Sequence, residues 1–111
     1  MHALIVEDDP IIATVVEAIL RKNGYTSFDF AVSADRAVAA ASVRSPDLIT
    51  SDVRLSPGNG VDAIEQICRE APIPVIFITA TPADIADRMP QYQVLRKPFG
   101  PDALEAALTS L

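Results

Sequence analysis

Hydrophobic positions along the chain fall into two alternating textures. The first is the short run that a strand buried on both faces requires. Ala3-Leu4-Ile5-Val6 is one such run, Leu48-Ile49-Thr50-Ser51-Asp52 is the third strand, and Pro74 to Ile78, flanked by Pro72 and Pro74, is the fourth. Weaker runs at 26–30 and 92–96 supply the second and fifth strands. The second texture has helical spacing. Asp9 and Pro10 give an N-cap and a first-turn proline, Ile11, Ile12, Val15, Val16, Ile19 and Leu20 form the stripe, and Gly24 closes the helix. Ser33 opens an alanine-rich helix that runs to about Arg44. A turn-rich stretch, Ser56-Pro57-Gly58-Asn59-Gly60, precedes a third stripe of Val61, Ile64, Ile67 and Cys68. Thr81 and Pro82 open a short helix, with Asp84 three residues after the cap, and Pro90 ends it, which predicts about two turns over 82–88 or an irregular segment. Gly100-Pro101 opens a last helix with Leu104, Leu108 and Leu111 on one face.

Five strands alternating with five helices predict a parallel sheet covered on both sides, because each crossover helix returns the chain to the same end. The length of 111 residues suits one domain over 1–111, and a hydrophobic share of 50% suffices for a core. No apolar run reaches the roughly 18 residues of a membrane helix, and the first apolar stretch stops at three acids, unlike a signal peptide. A cytoplasmic protein without membrane contact is expected. The net charge of −6, with no basic stripe, argues against nucleic acid as a partner. Cys68, the single cysteine, excludes an intrachain disulfide and reads as a core thiol, while His2 reads as an inert terminal residue.

In an open α/β sheet, function collects at the carboxyl ends of the strands. There the first strand ends in Glu7-Asp8-Asp9, the third in Asp52, the fourth in Thr79 and the fifth in Lys97-Pro98. Crowded carboxylates repel unless neutralised, and a hard divalent cation with oxygen ligands, Mg²⁺, solves that problem. A strand-end carboxylate can act as nucleophile toward phosphorus. Phosphoryl transfer then asks for little beyond positioning and charge neutralisation, which a metal, a lysine and a hydroxyl supply.

Over nearly its whole length the chain resembles bacterial response-regulator receiver domains of the chemotaxis-regulator type. The resemblance rests on Leu4-Ile5-Val6-Glu7-Asp8-Asp9-Pro10, on Ser51-Asp52-Val53-Arg54-Leu55 with Gly60, on Thr79-Ala80, and on Arg96-Lys97-Pro98-Phe99. It implies a flavodoxin-like, doubly wound (βα)5 fold with strand order 2-1-3-4-5. It implies that Asp52 accepts a phosphoryl group from the phosphohistidine of a histidine kinase or a histidine phosphotransfer protein. It further implies that Asp8 and Asp52 ligate Mg²⁺ directly, that the Arg54 carbonyl adds an oxygen, and that Glu7 helps through water. Lys97 would pair with the phosphoryl oxygens, Thr79 would move toward them, and Arg54 and Thr81 would flank the site and tune hydrolysis. A cis Lys97-Pro98 bond is implied as well. Such a protein is a signalling phosphoacceptor rather than an enzyme acting on others, monomeric or weakly dimeric, with a downstream protein partner that the sequence does not identify.

Two departures bear on output. Val94 stands where the family usually has an aromatic three residues before the lysine, with Tyr92 two positions further back, and the chain is short between Thr79 and Lys97. The short helix also resembles the single-domain receivers of alphaproteobacterial stress signalling. With no ring to swing behind Thr79, phosphorylation is expected to order or shift residues 80–92. Rival readings are a Mg²⁺-dependent aspartate-nucleophile phosphatase, a phosphate sink in a phosphorelay, and a flavodoxin-like cofactor binder. A haloacid-dehalogenase-type phosphatase needs an acid where Arg54 stands, and Glu7-Asp8-Asp9 would repel a cofactor phosphate.

Overall fold

Strand β1, His2–Val6, is buried at all five of its residues. It pairs in parallel with β2, Ser27–Ala31, on one side and with β3, Leu48–Ser51, on the other. Strands β4, Val75–Thr79, and β5, Gln93–Arg96, extend the sheet beyond β3, also in parallel, giving the order 2-1-3-4-5. The computed structural model describes residues 1–55, 57–85, 88–89 and 91–111. Among them are four α-helices and one 3-10 turn: α1 Pro10–Lys22, α2 Ala34–Val43, α3 Gly60–Glu70, the turn Pro82–Asp84, and α4 Pro101–Thr109.

Local chemistry sets the helix starts. The side chains of Asp9, Ser33 and Asn59 accept from Ile11 N–H, Arg36 N–H and Val61 N–H, which satisfies donors that a helix leaves free in its first turn. Gly24 follows α1 with φ +97°, the left-handed backbone that ends a helix.

The sheet separates two apolar clusters. On one face Leu4, Val6, Ile49, Val75 and Phe77 pack with Val61, Ile64 and Ile67 of α3 and with Ile85 and Met89. On the other, Ala3, Ile5, Leu48, Ile76 and Ile78 pack with Val16, Ile19 and Leu20 of α1 and with Leu104 of α4. Alternate residues of each strand point to opposite faces, so continuous apolar runs were needed to feed both clusters.

Three expectations require correction. The fifth α-helix is absent among the described residues, where the 3-10 turn Pro82–Asp84 stands instead. Its bonds are of the i to i−3 type, Asp84 N–H to Thr81 C=O at 3.0 Å and Ile85 N–H to Pro82 C=O at 3.3 Å. Thr81 makes no side-chain cap, so nothing rewards a longer helix there. Ala86, Asp87 and Pro90, on which part of that expectation fell, lie outside the described residues. Leu111 lies past the end of α4 and is exposed, so the last apolar face ends with Leu104 and Leu108. His2 is buried rather than idle: Nδ1 meets Ser27 Oγ at 2.6 Å and Nε2 meets Asp29 Oδ2 at 2.9 Å, while Asp47 Oδ2 accepts its backbone N–H at 2.7 Å.

Candidate functional site

The carboxyl ends of β1, β3, β4 and β5 meet at one edge of the sheet, and each brings the residue that its sequence position promised. The ladder continues past β3, where Asp52 N–H bonds to Val6 C=O at 2.9 Å and seats Asp52 beside the acids that follow β1. Past β5, Lys97 N–H bonds to Thr79 C=O at 2.8 Å, so the lysine and the threonine hang on adjacent strands. The Lys97-Pro98 bond is cis.

Lys97 Nζ donates to Glu7 Oε1 at 2.7 Å and to Asp52 Oδ2 at 2.8 Å. The remaining oxygens of those carboxylates are also held: Val53 N–H reaches Asp52 Oδ1 at 2.7 Å, and Asp9 N–H reaches Glu7 Oε2 at 3.1 Å. Burial pushes the Glu7 carboxyl above its ordinary value, by more than the hydrogen bonds from Lys97 and Asp9 N–H pull it down. Burial likewise works against the Lys97 charge, but its hydrogen bonds to Asp52 and Glu7 prevail and leave its pKa raised. One ammonium serves two carboxylates, and the deeper of them is incompletely compensated.

Asp8 is exposed, and one oxygen each of Glu7, Asp8 and Asp52 lies within 4.8 Å of the others. Three carboxylates against one ammonium leave about two negative charges when all are ionised, and oxygen donors suit a hard divalent ion. Asp52 is 9% exposed, whereas Asp8 beside it opens to solvent.

Behind Asp52 the backbone is crowded. Gly60 N–H bonds to Val53 C=O at 2.7 Å, which closes the loop that follows the aspartate. The buried Thr79 hydroxyl is turned to its own loop, 3.2 Å from Thr81 Oγ1 and accepting Thr81 N–H at 3.0 Å. Arg54 projects to Asp84, Nε to Oδ2 at 2.8 Å, and Arg88 reaches Asp62 and Glu65 of α3. None of these three ion pairs has a signal in the sequence. Tyr92 packs edge-on against Phe77 with ring centroids 6.0 Å apart, and Val94 lies beside Phe77 in register. Next to Lys97, a cleft of about 340 Å³ is lined by Ile12, Val15, Pro98 and Phe99.

Comparison with known proteins agrees with this geometry. The model of the response regulator receiver domain matches residues 3–109. The chain belongs to the response-regulator receiver domain family, the phosphoacceptor module of two-component signalling. It is 34% identical over 110 residues to the phyllosphere-induced regulator PhyR of Methylorubrum extorquens; the alignment takes in 96% of this chain but 41% of that protein. The chain thus spans less than half the length of that relative. Among solved structures it is similar to the receiver domain of Erythrobacter litoralis PhyR, with a TM-score of 0.89, 32% identity, and coverage of 98% of this chain and 87% of that one. It is also similar to the receiver domain of a sensor histidine kinase from Pseudomonas aeruginosa PAO1, a structure with a magnesium ion coordinated in the active site cleft, with a TM-score of 0.83, 30% identity, and coverage of 98% and 94%. Among the described residues, no helix is long and apolar enough to cross a membrane.

Proposed function

We propose that Asp52 is the phosphoacceptor and that residues 1–111 act as one receiver unit. The single observation that carries this reading is the Lys97 ammonium bridging Asp52 and Glu7, with Asp8 beside them and open to solvent. An Asp52 carboxylate oxygen attacks phosphorus, the P–N bond of the donor phosphohistidine breaks, and the imidazole departs. Lys97 stays within reach of Asp52 and neutralises charge on the transferred group. The buried Thr79 hydroxyl rotates away from Thr81 to donate to a phosphoryl oxygen. Asp8, Asp52, the Arg54 carbonyl and, through water, Glu7 would hold Mg²⁺, which supplies charge neutralisation for the carboxylates and the phosphoryl oxygens.

The donor is a histidine kinase or a histidine phosphotransfer protein. The cleft lined by Ile12, Val15 and Phe99, with Ile11 exposed on the same helix, offers an apolar ledge beside Lys97 for such a partner. The product is a signal: the surface around residues 80–99 changes and is read by a protein partner. The chain catalyses only its own phosphorylation and dephosphorylation, in the cytoplasm, as a monomer or weak homodimer. Intact-mass measurement after incubation with acetyl phosphate and Mg²⁺ tests the reading. One phosphoryl group is expected on the native chain and none on Asp52→Asn; equal labelling of both would remove the central claim.

A further inference from the structure

Four residues outside the carboxylate cluster are linked around the mouth of the site, by two side-chain contacts and the backbone hydrogen bond that joins them. It starts at Thr79, whose Oγ1 lies 3.2 Å from Thr81 Oγ1. Thr81 begins the 3-10 turn, and its carbonyl accepts Asp84 N–H at 3.0 Å. Asp84 Oδ2 accepts from Arg54 Nε at 2.8 Å. The Arg54 guanidinium, and after it the Thr81 hydroxyl, hold the Asp84 carboxyl below its usual range. The chain therefore runs from the switch hydroxyl to a residue two positions past the phosphoacceptor. Both of its ends are donors that a phosphoryl group on Asp52 would attract, and a guanidinium fork matches phosphoryl oxygens especially well.

We propose that Thr79, Thr81, Asp84 and Arg54 form a resting-state lock, in which Arg54 is an exchangeable arm. On phosphorylation Arg54 leaves Asp84 for the phosphoryl oxygens while Thr79 leaves Thr81, so the turn Pro82–Asp84 loses both tethers together. This inference rests on Asp52 being the phosphoacceptor. The resting pair is easily surrendered, because the Arg54 side chain is 71% exposed and water already competes for it. The phosphoryl group carries more charge and more acceptor oxygens than the Asp84 carboxylate. The root of the arm stays put: Val53 is fully buried, Gly60 N–H holds its carbonyl, and Arg54 itself bridges to Asn59. The exchange is thus a side-chain swing on a fixed backbone. Arg88, tied to Asp62 and Glu65 of α3, takes no part.

Amide hydrogen exchange at residues 81–85, with and without acetyl phosphate and Mg²⁺, tests the lock. In the native chain, exchange there should rise several-fold on phosphorylation. Asp84→Asn should already exchange fast at rest and gain little more. The charge swap Arg54→Asp with Asp84→Arg should restore slow exchange at rest, and phosphorylation should leave it slow, because an aspartate at position 54 repels the phosphoryl group. Slow resting exchange in Asp84→Asn would overturn the lock, as would a swap variant that phosphorylation releases like the native chain. If the swap variant takes no phosphoryl group, Arg54→Gln decides: it should free the turn at rest as Asp84→Asn does, and it alone should change the phosphoryl lifetime several-fold. Equal lifetimes in Arg54→Gln and Asp84→Asn would overturn the arm. Intact mass on the same samples keeps the two readings apart. A native chain with no adduct sinks the phosphoacceptor assignment, whereas an adduct with unchanged exchange at 81–85 sinks only the lock.

Discussion

Gly60 packs against Asp52 so closely that a Cβ at position 60 would overlap the Asp52 carbonyl oxygen. The obstacle is backbone, not a flexible side-chain end, so relief requires moving the loop that carries the phosphoacceptor. Gly60→Ala is expected to cost about 3 kcal/mol, at the upper end of overpacking effects. Chemical denaturation measures it. It should also slow phosphorylation, because Asp52 would be displaced from Lys97; full stability with native labelling would show that the loop yields freely.

Magnesium should stabilise the fold through Asp8. At roughly a hundred times Kd, binding adds about 2.7 kcal/mol to the folded state. Thermal melts of the native chain should shift upward with Mg²⁺, and those of Asp8→Asn should shift much less. An equal shift in both would take Asp8 out of the ligand set.

Thr50 Oγ1 is buried without a hydrogen-bond partner among the described residues, in a strand flanked by Ile5 and Ile76. Thr50→Val replaces an unpaired hydroxyl with a methyl group of similar size. A gain of about 1 kcal/mol is expected, or roughly 4 °C in Tm. A lower melting temperature would mean that the hydroxyl has a partner after all.

Tyr92 gives the fold an alkaline limit. Burial, and then the hydrogen bond with Cys68, push its phenol up from 10.0 to about 12. The neutral phenol is the form the fold favours. Its contribution is therefore complete below the unfolded value and is lost as pH rises through the folded value. Tyr25 is raised as well, by burial and then by Asp47, and acts in the same direction. Tyr92→Phe should remove part of the stability loss between those limits while Tyr25 keeps the rest; stability curves of the two proteins that run parallel with pH would contradict this.

The strands, four of the helix starts and the convergence of Glu7, Asp8, Asp52, Thr79 and Lys97 were legible in the residues. Each depends on a local signal, an apolar run between turn residues, a capping side chain or, at Gly100-Pro101, a first-turn proline, and parallel topology brings the strand ends together. What escaped depends on contacts between distant loops. Arg54 and Asp84 are thirty residues apart and sit on surfaces whose approach no periodicity reports. His2 looked idle because its partners, Ser27 and Asp29, become neighbours only once β1 and β2 are in register. After β4 the composition of Thr81-Pro82 is that of a helix start and allows either two turns or an irregular segment; the structure takes the short form, with the Thr81 N–H bonded to Thr79 Oγ1 and Asp84 bonded to Arg54. The departure at Val94 was visible, but the edge-on contact of Tyr92 with Phe77 was not.

The sheet also works as a partition for sequence drift. Val61, Ile64 and Ile67 share a cluster with α2, whereas Val16, Ile19 and Leu104 belong to the cluster on the far side of the strands. Side chains that never touch contribute independently, within about 0.3–0.5 kcal/mol. The losses from Ile64→Ala and Leu104→Ala should therefore sum in the double variant, and a large excess or deficit would show that the strands transmit packing changes. Independence of this kind lets substitutions accumulate on one side of the sheet without disturbing the packing on the other.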